Sequence, residues 1–210
     1  MDSSMTDTPP PSTEPDKWLN YLQVTASADP HSTLLTALEN FEKEEFHSGH
    51  AVDLGCGQGR DTRELLRRSW NVLAIDSSET AISNLKDVIN PEERERLQTR
   101  RAEFEGLELP DADLINASLS IPFCHSEMFP TLWRQIVIRL RPGGRFAGHF
   151  FGPNDEWVSR GNWTYFDKQR LRNVLYGFHL ELFVEDERNI PTVDGNDKHW
   201  HLFHVVAKKL

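Results

Sequence analysis

The sequence predicts an α/β fold: a mostly parallel sheet with helices on both faces. Three observations predict it. Short apolar runs that read as buried strands alternate with segments of helical period from about residue 32 to the C-terminus. Alternation of this kind requires right-handed crossovers, which place helices on both sides of a parallel sheet. The length, 210 residues, suits one domain with a substantial core and leaves no room for a second.

The elements follow in order. Residues 1–16 are Ser, Thr, Pro and acids with almost nothing to bury, so they cannot offset their ordering entropy and are read as a disordered tail. The domain is assigned to residues 17–210, opening with an aromatic patch at Trp18 to Leu22. A helix after Ser32 aligns Leu34, Leu35, Leu38 and Phe41 on one face. The first strand, His50 to Leu54, stops at glycines and is followed by a helix through Leu65 and Leu66. The second strand, Asn71 to Asp76, ends in an acid. Ser77 or Ser78 caps the next helix, which carries Ala81, Ile82, Leu85, Val88 and Ile89. Residues 97–102 form a weak third strand and 113–117 a clearer fourth. Phe129, Leu132, Trp133, Ile136, Val137 and Leu140 repeat at helical spacing until Arg141-Pro142-Gly143-Gly144 terminates the helix. A fifth strand covers 145–151, and Asp167 caps a helix with Leu171, Val174 and Leu175. Strands near 179–184 and 199–207 close the chain.

Composition excludes several functions. Acidic residues outnumber basic ones 33 to 23, a net charge of −10, which disfavours nucleic acid as a partner. No run of 18 apolar residues is present, so neither a transmembrane helix nor a membrane partner is expected. The N-terminus lacks the pattern of a secretory signal. The two cysteines, Cys56 and Cys124, read as buried thiols in a reducing compartment, and a cytoplasmic location is expected.

The turn after the first strand carries most of the chemistry. Gly55, Gly57 and Gly59 allow a sharp turn and close approach of backbone to ligand. A helix then begins near Arg60-Asp61-Thr62, directing its N-terminal dipole toward that ligand. The dinucleotide fingerprint wants a glycine at the sixth position counted from Gly55, where this chain has Arg60. The spacing is instead Asp-x-Gly-x-Gly-x-Gly. Asp53 would repel a pyrophosphate but suits the ammonium group of a methionine moiety. Asp76, at the tip of the next strand, suits the two hydroxyls of a ribose.

Val52-Asp53-Leu54-Gly55-Cys56-Gly57-Gln58-Gly59-Arg60-Asp61-Thr62, followed by Ala74-Ile75-Asp76-Ser77-Ser78, resembles the class I S-adenosylmethionine-dependent methyltransferases. Gly-Gln-Gly-Arg-Asp-Thr is most similar to their tellurite-resistance-type branch. The resemblance implies a Rossmann-like, seven-stranded sheet whose last strand runs antiparallel between the fifth and sixth. It also implies S-adenosyl-L-methionine as cofactor. Gly55, Gly57, Gly59 and Arg60 would surround its carboxypropyl part, Asp53 would orient its amino group, and Asp76 with Ser77 would hold the ribose. Glu103 would meet the adenine amine with Phe104 beside the ring, and Asn116 and Ala117 would face the sulfonium. Trp18 and Tyr21 are candidates for a lid, over cofactor and acceptor respectively.

Methyl transfer from a sulfonium is an in-line displacement, so the protein's part is alignment, desolvation and, for some acceptors, proton removal. After the fourth strand stands Asn116-Ala117-Ser118-Leu119, without the Pro-Pro of amino-group nucleic-acid methyltransferases, and Cys124 follows Phe123 rather than the proline of a cytosine-carbon enzyme. A small-molecule acceptor is expected. His149, near the end of the fifth strand, is the candidate general base. Trp157, Arg160 and Trp163, in a long polar and aromatic loop, are candidates for the acceptor pocket with Tyr21. His199, His201 and His204 cannot converge on one ion from a single strand, so no metal is expected. Two rival readings are a non-catalytic domain that binds the same cofactor, and a nicotinamide oxidoreductase, which Arg60 disfavours.

Overall fold

The structure, a computed structural model, describes residues 28–192 and 195–210. Its elements are α1 (Ser32–Lys43), β1 (His50–Leu54), α2 (Arg60–Arg67), β2 (Asn71–Asp76), α3 (Glu79–Val88), β3 (Leu97–Arg101), β4 (Ala112–Ala117), α4 (Phe129–Arg139), β5 (Leu140–Phe151), α5 (Lys168–Val174), β6 (Phe178–Pro191) and β7 (Asp197–Lys209). Short 3-10 helices cover Pro91–Arg96, Ile121–Phe123 and Glu156–Arg160. The seven strands form one sheet in the order β3-β2-β1-β4-β5-β7-β6. All neighbours from β3 to β5 are parallel, and β7 is antiparallel to both β5 and β6. This is the expected architecture, with the last strand inserted between the fifth and sixth.

Alternate residues of each strand face opposite apolar layers. Val52, Leu54, Leu73, Ile75, Ile115, Phe146 and Phe150 pack with Leu132, Trp133 and Ile136 of α4 and Leu171 of α5. On the other face Ala51, Val72, Ala74, Leu114, Ala147 and Val206 meet Leu34, Leu38 and Phe41 of α1, Leu65 and Leu66 of α2, and Ile82 and Leu85 of α3. The caps are as expected: Ser78 Oγ accepts the Ala81 N–H at 3.2 Å, and Asp167 Oδ1 that of Arg170 at 2.8 Å. Among the described residues no helix is long and apolar enough to cross a membrane.

Two boundaries differ from the sequence expectation, each for a tertiary reason. The fourth helix stops at Arg139, because Leu140 already pairs with Ala112 and the chain bulges through Arg141–Gly144 before Arg145 pairs with Leu114. Strands β6 and β7 run on as a long ribbon, pairing residue by residue from Leu182↔Val206 to Pro191↔Asp197. Apolar patterning fades there because Glu185, Asp186, Glu187 and Arg188 succeed one another on β6. What the ribbon buries lies on β7: Trp200 and Leu202 pack with Leu119, Phe151 and Trp157.

Candidate functional site

Strand order reverses between β1 and β4, and crevices at such a reversal, outside the carboxyl ends of the strands, are where open α/β sheets bind ligands. The glycine turn lies there. Leu54 ends β1, and the N–H groups of Gly55 and Cys56 both donate to the Ile75 carbonyl, at 2.8 and 3.0 Å. Gly55 has φ +68°, and a Cβ on it would lie 2.3 Å from Ser120 Cβ. Gly59, at φ +85°, sits at the N-cap of α2 without a side chain to close the helix end.

Asp76, at the tip of β2, is tied to this turn. One carboxylate oxygen accepts the Gly57 N–H at 2.9 Å and the other that of Ser78 at 2.8 Å. Burial pushes its pKa up, against those backbone donors. Beyond β3 the Ala102 N–H donates to the Asp76 carbonyl at 3.0 Å. Exposed Glu103 and half-buried Phe104 follow next along the chain. Ser77 is exposed, and its carbonyl accepts from Arg101 Nε at 3.2 Å.

Asp53 faces inward. Its Oδ2 accepts from Thr62 Oγ1 at 2.5 Å and its Oδ1 from Asn116 Nδ2 at 2.9 Å. The same Asn116 nitrogen donates to Asp61 Oδ2 at 2.8 Å. Asp61 is clamped in turn by His31, whose backbone N–H lies 2.9 Å and whose Nδ1 lies 3.1 Å from Oδ1. His31 Nε2 faces Arg60 Nη1 at 3.1 Å, and Arg60 Nε donates to the Asp29 carbonyl. A guanidinium can only donate, so Nε2 accepts and the His31 proton sits on Nδ1, toward Asp61. All six side chains from Asp53 to Arg60 are buried. Burial raises Asp53 to about 7, with the Asp61 charge adding to the effect. Burial also pushes Asp61 upward, but its contacts with His31 outweigh that and hold it well below the carboxylate range. Sequence reasoning placed Asp53, Arg60 and Asn116 but missed His31, Asp61 and Thr62 as members of the site. The first turn of α2 was the signal for Asp61, whereas nothing in the sequence joins His31 to a residue 30 positions away.

The acceptor side is built differently. His149, on β5, is buried, and its Nδ1 accepts the Leu119 N–H at 3.2 Å. Its ring lies 4.8 Å from that of His204 and 5.6 Å from that of His31. Burial, then His204 and His31, pushes its pKa well below the ordinary histidine value. Trp157 is 1% exposed, packed against Trp200 at 5.1 Å and Phe123 at 5.9 Å. Arg160 is an exposed partner of Glu156. Trp163 stacks on His125 at 5.6 Å and lines a groove of about 750 Å³ against α4, away from the glycine turn. Of the three β7 histidines, His199 bonds Asn189 and Glu187, His201 bonds Glu185, and His204 turns to His149. Trp18 and Tyr21 lie outside the described residues. Sequence reasoning also missed the buried ion pair of this region. Lys198 Nζ donates to both oxygens of Asp155 at 2.7 and 2.8 Å and lies 3.5 Å from the Trp200 ring centre.

Residues 51–144 match the model of the methyltransferase domain family. Among solved structures, TehB from Haemophilus influenzae superposes with a TM-score of 0.70 at 18% identity, over 86% of this chain and 62% of that one. Over residues 51–144 the chain is therefore similar to methyltransferases, and its fold is the one TehB has. Other solved structures of this fold are described as S-adenosylmethionine-dependent methyltransferases, among them one from Mesorhizobium loti at 20% identity with a TM-score of 0.60, over 77% of this chain and 91% of that one. A trans-aconitate 2-methyltransferase from Klebsiella pneumoniae (strain 342) is 31% identical over 122 residues, which are 56% of this chain and 45% of that protein. The 1,6-didemethyltoxoflavin-N1-methyltransferase of Burkholderia thailandensis, solved with 1,6-didemethyltoxoflavin and S-adenosylhomocysteine, superposes at 18% identity with a TM-score of 0.61, over 97% of this chain and 93% of that one. The chain thus spans less than half of the curated relative and under two thirds of TehB.

The residues present fit S-adenosylmethionine, the cofactor named for those structures. Asp76 is held by backbone donors at the strand tip that a ribose diol would meet. The turn beside it carries left-handed glycines, and against Gly55 stands Ser120, whose buried Oγ has no hydrogen-bond partner.

Proposed function

We propose that this chain transfers the methyl group of S-adenosylmethionine to a small-molecule acceptor, and that residues 17–210 act as one methyltransferase domain. One observation carries the reading: the glycine turn and the Asp76 carboxylate are hydrogen-bonded to each other at the reversal of strand order. When bound, the cofactor supplies the electrophilic methyl group. The chain's residues align it. Asp76, beside Ser77, takes the ribose hydroxyls, Gly55, Gly57, Gly59 and Arg60 accommodate the methionine part, and Glu103 with Phe104 meets the adenine. Asn116 and Ala117 stand at the sulfonium, and Asp53, itself held by Thr62 and Asn116, supports the amino group from beneath. Trp18 and Tyr21 complete the reading as cover over the site.

His149 enters as the acceptor-side residue. In the neutral ring, Nδ1 is engaged by Leu119 and the proton sits on Nε2, so at rest the ring offers a donor. Service as a base requires it to release Leu119. If His149→Gln leaves the transfer rate unchanged for every acceptor, the base role is lost and the donor role remains. Trp163 and Arg160 are the acceptor-contact candidates that the fold leaves accessible. Trp157 shapes that region from inside.

A small acceptor is supported by the acidic charge, by the absence of the nucleic-acid methyltransferase signatures after β4, and by the small molecules named for two similar proteins. A cytoplasmic setting is proposed from the cysteine usage, both thiols being free and buried. The test is transfer of labelled methyl to a panel of carboxylates including trans-aconitate, nitrogen heterocycles, thiols, hydroxyl compounds and oxyanions. Transfer to any of them supports the proposal. Tight cofactor binding with no transfer to any would replace it with a non-catalytic binding domain.

A further inference from the structure

Asp53 and Asp61 are two buried carboxylates that meet at a single nitrogen, Asn116 Nδ2. Two like charges so placed cannot both ionise without a cation to balance them. Asp61 has its balance. It is held by His31, and the far side of His31 meets the Arg60 guanidinium. Asp53 has none: its contacts are the hydroxyl of Thr62 and the amide of Asn116, and among the described residues no ion pair reaches it. The other titratable groups around this pair are Arg60 on α2, His31 ahead of α1, and His149 on β5, with Cys56 of the turn set between Asp53 and Asp76. None of these neutral or already paired groups supplies the missing positive charge. The short Thr62–Asp53 contact at 2.5 Å runs equally well with the proton on Asp53 and Thr62 accepting.

We propose that Asp53 and Asp61 share one proton in the ligand-free chain, carried by Asp53, and that the cofactor's ammonium group displaces it on binding. This rests on the cofactor reading above. The step balances simply: the ammonium arrives as a cation, Asp53 gives its proton to solvent buffer, and the resulting carboxylate is the counter-ion. Cofactor binding is then linked to pH. Below about pH 7, where burial keeps Asp53 protonated, each unit of acidification weakens affinity by up to about tenfold, and affinity levels off above that.

The experiment is calorimetric titration of the full chain with S-adenosylhomocysteine, which carries the ammonium group but no sulfonium, in buffers of different ionisation enthalpy. At pH 6 the expected result is release of close to one proton per ligand, falling toward none at pH 8. Asp53→Asn removes the release, and Asp61→Asn, which lifts the like charge, reduces it at pH 6. A carbon-13 titration of the aspartate carboxyls in the ligand-free protein reads the other half: one resonance, absent from Asp53→Asn, moves near pH 7. Binding with no proton release, or no aspartate titrating near neutrality in the free chain, overturns the proposal and leaves the cofactor reading standing. Failure of S-adenosylhomocysteine to bind sinks the cofactor reading and the displacement step, while the carboxyl titration still decides whether the proton is shared.

Discussion

The two halves of the carboxyl edge are built on different principles. Around β1, β2 and β4 the site consists of backbone N–H groups, left-handed glycines and carboxylates from short consecutive stretches of chain. Around β5, the residues 152–163 and the β6–β7 ribbon, it consists of large buried side chains brought together from far apart. Lys198 and Asp155 are 43 residues apart, yet the ion pair is buried at both ends, with side-chain exposures of 2% and 0%. The first half, proposed above to hold the cofactor, can be written as a motif. The second is defined by packing rather than by a motif.

The largest expected effect breaks the second half. Lys198→Ala removes one partner of a buried ion pair and leaves Asp155 uncompensated, at a cost of about 3–5 kcal/mol. Denaturant unfolding measures it, and a loss below ~1 kcal/mol would show that water reaches this pair. Methyl-donor binding by protein that remains folded should be nearly unchanged, which separates the halves.

Next comes the first half. Asp76→Ala removes the carboxylate proposed to meet the ribose and should weaken cofactor affinity by about ten- to a hundredfold, with a stability loss of about 1–3 kcal/mol because the Gly57 and Ser78 N–H groups lose their acceptor. Unchanged affinity in the folded variant would remove the ribose assignment. Ser78→Ala is smaller: loss of the α3 cap costs about 1 kcal/mol, and a cofactor affinity following that modest loss would show how strongly the Asp76 tip depends on the helix behind it.

The smallest effect is a change in pH dependence. Burial holds His149 well below the ordinary histidine value of 6.5, so the unfolded chain binds this proton more readily than the folded one. Stability contributed by the neutral ring is full above pH 6.5 and declines as pH falls below it. His149→Gln should flatten this acid-side decline. Unaltered pH dependence of unfolding would show that the ring is not held neutral.

What the sequence made legible follows the same division. Strands β1 and β2, the Ser78 and Asp167 caps and the glycine turn were read correctly because each depends on neighbouring residues. The inward turn of Asp53 was not legible, since Asn116 and Thr62 reach it only once β4 and α2 are packed. The length of the ribbon escaped the apolar pattern because charged residues crowd β6 there. Trp157 reads as a loop aromatic available to a ligand, but the Lys198 and Trp200 contacts that bury it come from the far end of the chain.

The most direct test of the central claim is calorimetric titration of the wild-type chain with S-adenosylmethionine, S-adenosylhomocysteine and NADH under identical conditions. The account predicts saturable one-to-one binding of the first two and none of NADH. Binding of NADH with no response to either sulfur compound would contradict it.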